Sequence, residues 1–326
     1  MQGRRVLFYD PNPKARRIAE RAVAATGSEL VVAGDCQELF DRGDIEDFDL
    51  HVWHFEPHHQ DVDEWRQLLD RIEKAFPRTK TVLHISESVS SYVPLMISHP
   101  SIRHLIAKTD QPLDIEELMV TSEKLLRNDL FGMEKYLLWG CDPRVVEITD
   151  SRDKALYVRE VSEFAVGLGL GDRIIEMLET VVDELVANAI FDAPLGSDGK
   201  PRYAHLDRRE SVVLEESERA TLRYASDGRY FAVSVSDPFG ALTRDTVVGY
   251  LARCLKKGPE QILHESGGAG LGLFRVLNAL SKFVVNIDPG RQTEAIGLVD
   301  LRVSMREMRS RPKSLHVFVA EEGENA

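Results

Sequence analysis

Glu184 and Asn188 stand four residues apart in the run IIEMLETVVDELVANAIFDA, a spacing that stacks two side chains one helical turn above each other. The apolar positions Ile174, Leu178, Val181, Leu185 and Ile190 trace one face of that helix, so the pair lies at the margin of a buried stripe. A carboxylate and a carboxamide placed there cost free energy unless they bind something. A Mg²⁺ ion held by Asn188, with Glu184 polarising an attacking hydroxyl, satisfies both. A solvated helix edge with a capping or inter-helix hydrogen bond is the plainer alternative. A second stretch, FAVSVSDPFGAL, ends a strand at Asp237 and turns through Pro238 and Gly240. Asp at a strand end accepts a hydrogen bond from an adenine amino group, and glycine lets a base approach the backbone, though Asp, Pro and Gly are also ordinary turn formers.

The third stretch, ILHESGGAGLGLFRVLNAL, sets Gly267, Gly268, Gly270 and Gly272 before a helix, where backbone amides hold a phosphate. A dinucleotide fingerprint needs G-x-G-x-x-G directly after a strand inside a βαβ unit. Here Gly268, Gly270 and Gly272 space as G-x-G-x-G, and the preceding DTVVGYLARCLKKGPEQILHE reads as helix and then loop. A mobile lid over a triphosphate, ending at a helix N-terminus, fits better. Lys256 and Lys257 in that lid either supply charge to a phosphate or form a solvated pair.

These residues sit on two kinds of scaffold. Residues 1–126 alternate apolar strands (RVLFYD, ELVVAG, FDLHVWHF, KTVLHIS, HLIAK) with amphipathic helices, which predicts a doubly wound parallel sheet. Residues 127–150 lack periodicity and read as a linker. Residues 151–326 open with helices over about 152–167 and 171–191. Strand-rich SVVLEE, RATLRYAS, YFAVSVSD, KFVVNID, TEAIGLVDLRVSM and SLHVFVA follow, predicting an α+β sandwich. His51, His54, His58 and His59 invite a metal reading, but His51 and His54 have opposite strand parity and point to opposite faces.

The net charge of -13 argues against a general nucleic-acid or membrane-surface binder. Cys36, Cys141 and Cys254 are odd in number and far apart, as expected of free thiols in a reducing compartment. With no long apolar run in the sequence, the expectation is a cytoplasmic protein.

Taken in order, ELVAN, DPFG and GGAGLGL resemble the nucleotide-binding boxes of the GHKL (histidine-kinase-like) ATPase superfamily over about residues 150–302. The resemblance implies a Bergerat ATP-binding sandwich with ATP and Mg²⁺ as cofactors. It gives Glu184 as general base and Asn188 as Mg²⁺ ligand. It sets Asp237, Gly240 and Thr293 (in QTEAIGL) at adenine, and Gly268, Gly270, Leu271 and Gly272 at the phosphates. Within the superfamily the chain is most similar to the anti-sigma-factor serine kinases, through ALYVREVSEFAVGLGL leading into ELVANAI. Residues 112–180 contain no histidine, which weighs against autophosphorylation of the histidine-kinase kind. Two departures stand out. The family's basic residue after Asn188 is replaced by Phe191 and Asp192, and its first-box glycine positions hold Phe239 and Ala241.

Residues 1–126 resemble a response-regulator receiver domain without its phosphoacceptor. Asp10 stands for the acidic pair, His54 for the acceptor Asp, Ser86 for the switch hydroxyl and Lys108 for the receiver lysine, so aspartyl phosphorylation is not expected. Together these resemblances imply a signalling protein that phosphorylates a regulatory protein partner on Ser or Thr, or sequesters it under nucleotide control. That partner would be an anti-sigma antagonist or sigma-factor-like protein, and homodimerisation follows by likeness. A non-catalytic interaction scaffold and a kinase acting on a separate histidine-bearing protein are the alternatives.

Overall fold

The computed structural model describes residues 4–44, 48–56, 62–75, 80–108, 113–261 and 271–321. They fall into two compact units, residues 1–130 with 311–318 and residues 131–310 with 319–326.

The first unit runs β1 (Arg5–Tyr9), α1 (Pro13–Ala25), β2 (Glu29–Ala33), α2 (Cys36–Asp41), β3 (Leu50–His54), α3 (Val62–Ala75), β4 (Lys80–Ile85), α4 (Val89–Ser98), β5 (Ile102–Ala107) and α5 (Ile115–Arg127). Its helices begin where side chains satisfy orphan amides. Asn12 accepts from Lys14 N ahead of Pro13, Asp35 from Glu38 N, and Asp114 from Glu117 N. All five strands pair in parallel, with β1 between β2 and β3, then β4 and β5. The expected doubly wound order therefore forms. Every residue of β3 is buried, as a parallel strand covered on both faces requires. Trp65 of α3 packs against Trp53 and Phe55 with ring centroids 5.8 and 5.0 Å apart. Helix α4 has no counterpart in the sequence reading, because Pro94 lies inside it; buried Val89, Tyr92, Val93, Leu95 and Met96 override the proline.

The second unit runs β6 (Arg144–Ile148), α6 (Lys154–Gly167), α7 (Asp172–Ala187), β7 (Ala220–Ser226), β8 (Tyr230–Asp237), α8 (Arg244–Gln261), α9 (Leu271–Ala279), β9 (Lys282–Asp288), β10 (Gln292–Asp300) and α10 (Met305–Ser310). Its sheet is antiparallel in the order β6-β7-β8-β10-β9. On one face Phe164 of α6 meets Tyr224 and Phe231 edge-on. On the other face the Ser234 hydroxyl donates to Met133 Sδ, and Glu294 accepts from Gly132 N. Residues 131–136 and 144–148, read from sequence as linker, thus form a cover and an edge strand of this sheet. The SVVLEE segment is no strand: Val213 makes one isolated bridge to Asp150.

Strand β11 (Ser314–Val319) was expected to belong to the second half, yet Arg311–Phe318 joins the first unit. It pairs antiparallel with β5, setting Leu315 opposite Leu105 and His316 opposite His104. The buried His316 ring bonds Glu117 of α5 at 2.9 Å, and the Lys124 ammonium lies 4.0 Å over the Phe318 ring. Among the described residues no helix is long and apolar enough to cross a membrane.

Leu315 is fully buried, so Leu315→Ala should destabilise the first unit by about 2–5 kcal/mol. The measurement is urea unfolding followed by the fluorescence of buried Trp53 and Trp65, since Trp139 is fully exposed. An unchanged midpoint would refute the assignment of β11 to this unit.

Candidate functional site

In the second unit Glu184 lies in the last turn of α7, and Asn188–Asp192 continues as a single π-turn closed by Ala193 N to Asn188 O at 3.0 Å. A four-residue step overshoots one turn of α-helix and falls short in the wider π-turn. Glu184, Asn188 and Asp192 therefore stay aligned along one edge. All three meet one guanidinium. Arg208 Nη1 lies 3.3 Å from Glu184 Oε2, while Nη2 donates to Asn188 Oδ1 at 3.2 Å and Asp192 Oδ2 at 3.1 Å. Arg275 reaches Glu184 Oε1 at 3.4 Å. Burial raises the Asp192 pKa; Arg208 opposes that shift and the Glu184 charge adds to it. The positive charge missing after Asn188 in the sequence thus arrives from Arg208, twenty residues on. No local spacing signals it.

Helix α9 closes on the same carboxylate. A Cβ on Gly272 would fall 2.2 Å from Glu184 Oε2, so a larger residue here would push the Glu184 carboxylate aside, and a carboxylate near a helix N-terminus is favoured. Gly267, Gly268 and Gly270 lie outside the described residues, as do the side chains of Lys256, Lys257 and Leu271.

Asp237 ends β8 directly opposite Thr293 of β10. Burial pushes its carboxyl up to about 6, against the amides of Phe239 and Gly240 and the Thr293 hydroxyl. Phe239 N donates at 3.0 Å. The Thr293 hydroxyl is buried beside the carboxylate without reaching full hydrogen-bond geometry, so both groups retain capacity for a polar partner. Gly240 has φ +58°, and a Cβ there would fall 2.0 Å from Asp288 O. Its glycine is required by packing of the DPFG turn on the β9–β10 turn, whatever approaches from outside.

In the first unit, Asp10 follows β1 and His54 ends β3, flanking the point where strand order reverses. Ligands of doubly wound sheets bind at that point, beyond the carboxyl ends of the strands. His84 Nδ1 lies 2.8 Å from Asp10 Oδ2, and both side chains are fully buried. Lys108 Nζ lies 3.6 Å from the same oxygen and 3.4 Å from His54 Nε2. His54 Nδ1 donates to the His84 carbonyl at 3.2 Å. Ser86 donates to Glu56 at 2.6 Å, and Glu56 lies 3.4 Å from His54 Nε2. Burial works to raise the Asp10 pKa, but His84, the Asn12 amide and Lys108 hold it below the usual value. Burial lowers the pKa of His84 and, with Lys108 adding, that of His54. Asp10, His54, Ser86 and Lys108 are thus neighbours in the structure. His84 was missed because a histidine inside a buried strand reads as core, and Glu56 because its contacts to His54 and Ser86 form only through tertiary packing. His51 faces away, stacked on Trp53 at 4.9 Å; His58 and His59 lie outside the described residues.

No protein-family model matches the chain, and no curated protein matches it. Solved structures do. A CheY-like receiver domain from Methanospirillum hungatei JF-1 is 20% identical and covers 39% of this chain and 98% of its own, with TM-score 0.32. A response regulator from Thermotoga maritima is 19% identical over 38% of this chain and 98% of its own, with TM-score 0.31. A designed Rossmann 2x3 protein is 16% identical over 39% and 92%, with TM-score 0.29. The N-terminal part resembles CheY-like receiver domains. Over the whole chain the fold is mixed α/β.

The raised Asp237 pKa has a defined sign. Between the unfolded value of 3.8 and the folded value of about 6, the native state binds the extra proton, so stability falls as pH rises through that window. Asp237→Asn should remove this slope and stabilise the protein at pH 7 by at most about 3 kcal/mol. Chemical denaturation of both proteins from pH 4 to 7 checks it; parallel stability curves would show an unperturbed carboxyl.

Proposed function

We propose that the second unit binds ATP with Mg²⁺ and that the chain is a signalling protein acting on a regulatory protein partner. The observation that carries this reading is the Asp237–Thr293 pair, a desolvated carboxyl beside a buried hydroxyl at the end of β8 and the start of β10. An adenine amino group and ring nitrogen would use both, since adenine offers a donor beside an acceptor. Glu184 and Asn188 supply the second half of the site, and Gly272 brings the first turn of α9 against them. The order of these residues is that of the GHKL boxes, and the anti-sigma-factor serine kinase kind is the member most similar to it.

The donor set fits a hard cation. Glu184 Oε2, Asn188 Oδ1 and Asp192 Oδ2 are all oxygens converging on one positive group. Held by these oxygens, Mg²⁺ would supply positive charge to offset that of the phosphates. Asn188 Oδ1 would be its ligand, and Arg208 would turn from the carboxylates to the phosphates. Glu184 would accept the proton of a partner Ser or Thr hydroxyl at Oε1 or Oε2 as that oxygen bonds to the γ-phosphorus of ATP and the bond from that phosphorus to its bridging oxygen breaks, releasing ADP. Sequestration of the partner under nucleotide control needs the same binding residues without the proton transfer.

One observation favours a second reading. Arg208 already satisfies Glu184, Asn188 and Asp192, as in a unit that holds its shape without nucleotide and serves as an interaction scaffold.

Calorimetry with ATP and Mg²⁺ separates the two. Wild type should bind, Asp237→Ala should lose at least about tenfold in affinity, and Asn188→Ala should weaken the Mg²⁺ complex. Glu184→Ala should bind ATP and lose transfer to the partner by about 10²–10⁴-fold. No heat of binding in the wild type would leave the scaffold.

A further inference from the structure

The switch-point cluster of the first unit has a chemistry that the nucleotide reading does not use. We propose that Asp10, His54 and His84 form a binding site for a divalent transition-metal ion of the zinc type. One ligand atom from each residue lies within 4.8 Å of the other two, and all three residues are buried. A centre at 2.0–2.2 Å from each donor needs donors no more than about 4.4 Å apart, so a pair at the outer limit closes by a small side-chain movement.

The orientation of the rings is that of ligands. A carbonyl oxygen only accepts, so His54 Nδ1 carries the proton in its contact with His84 O, and the Nε2 lone pair is left facing the cluster. A metal-bound histidine has its other nitrogen fixed by a backbone carbonyl or carboxylate in the same way. His84 contributes the second sign. Its Nδ1 faces Asp10 Oδ2 at 2.8 Å, and its buried Nε2 has no hydrogen-bond partner among the described residues, an expensive state for a nitrogen kept on an interior strand. Leu, Val or Met at this position would pack without that cost.

The donor set also chooses among ions. Two imidazoles and one carboxylate suit Zn²⁺, Co²⁺, Ni²⁺ or Cu²⁺, whereas Mg²⁺ and Ca²⁺ take oxygen ligands. Glu56 lies 3.4 Å from His54 Nε2 and accepts from Ser86, beside the three donors rather than among them. The competitor is internal. Lys108 holds its ammonium 3.4 Å from His54 Nε2 and 3.6 Å from Asp10 Oδ2. Its side chain is 21% exposed, so it has a route out to solvent when an ion enters.

The test uses the full chain, freed of metal with a chelator and then titrated with Zn²⁺ by calorimetry at pH 7.5 in millimolar Mg²⁺. One Zn²⁺ per chain should bind. His54→Asn and His84→Gln should each weaken binding at least about tenfold, and Lys108→Ala should tighten it by removing the competing cation. Co²⁺ in place of Zn²⁺ should give the visible d–d absorption of a low-coordinate site, lost in His54→Asn. If His84→Gln does not fold, His54→Asn and Lys108→Ala carry the decision. The proposal is overturned by absence of stoichiometric Zn²⁺ in the wild type. Affinities unmoved by His54→Asn and Lys108→Ala would also overturn it, since the ion would then sit on other histidines. None of these readouts depends on ATP.

Discussion

One guanidinium organises the candidate site of the second unit. Without Arg208, Glu184, Asn188 and Asp192 would crowd two carboxylates and a carboxamide along a single helix edge, partly out of water. Like charges so placed repel, and desolvation adds to the cost. Arg208 offsets both through a forked donor set that matches their aligned acceptors. The same contact uses the π-turn, because it is the wider turn that keeps Asp192 in line with Asn188. Helix α9 approaches Glu184 under that neutralised edge, and Gly272 leaves the Glu184 carboxylate room beside it.

The first unit solves a similar problem with different residues. Asp10 is fully buried, yet His84, Lys108 and the Asn12 amide leave it no unpaired charge. Each unit thus keeps a cationic side chain of its own where its polar groups converge, Arg208 in one and Lys108 in the other. A buried acid paired in this way contributes more to fixing one arrangement than to net stability. Both cations are partly exposed, Arg208 at 28% and Lys108 at 21%.

Local pattern carried the sequence reading a long way. The alternation of RVLFYD, ELVVAG and FDLHVWHF with amphipathic helices is a local signal, and it predicted the parallel sheet that forms. Asp10, His54, Ser86 and Lys108 were set together by the receiver resemblance alone. What escaped was non-local or broke a local rule. Pro94 hid α4. Arg208, His84 and Glu56 reach their partners through tertiary packing that no spacing records. The edge strand β6 was lost because only part of it is buried, leaving weak periodicity. SVVLEE failed in the other direction: its alternation is strand-like, but it has no neighbouring ladder beyond one bridge.

The return of β11 to β5 has a consequence for how the chain acquires its shape. The parallel part of the first sheet is available once Ala107 has left the ribosome, but its last strand begins at Ser314. During that interval, on the order of ten seconds or more at ordinary elongation rates, β5 is an open strand edge. Such an edge is a template for pairing with any exposed strand. The second unit, including its own strands β6 to β10, is made in that window. The vulnerable moment for this protein therefore falls during synthesis, and a chaperone that shields β5 would act before the chain is complete.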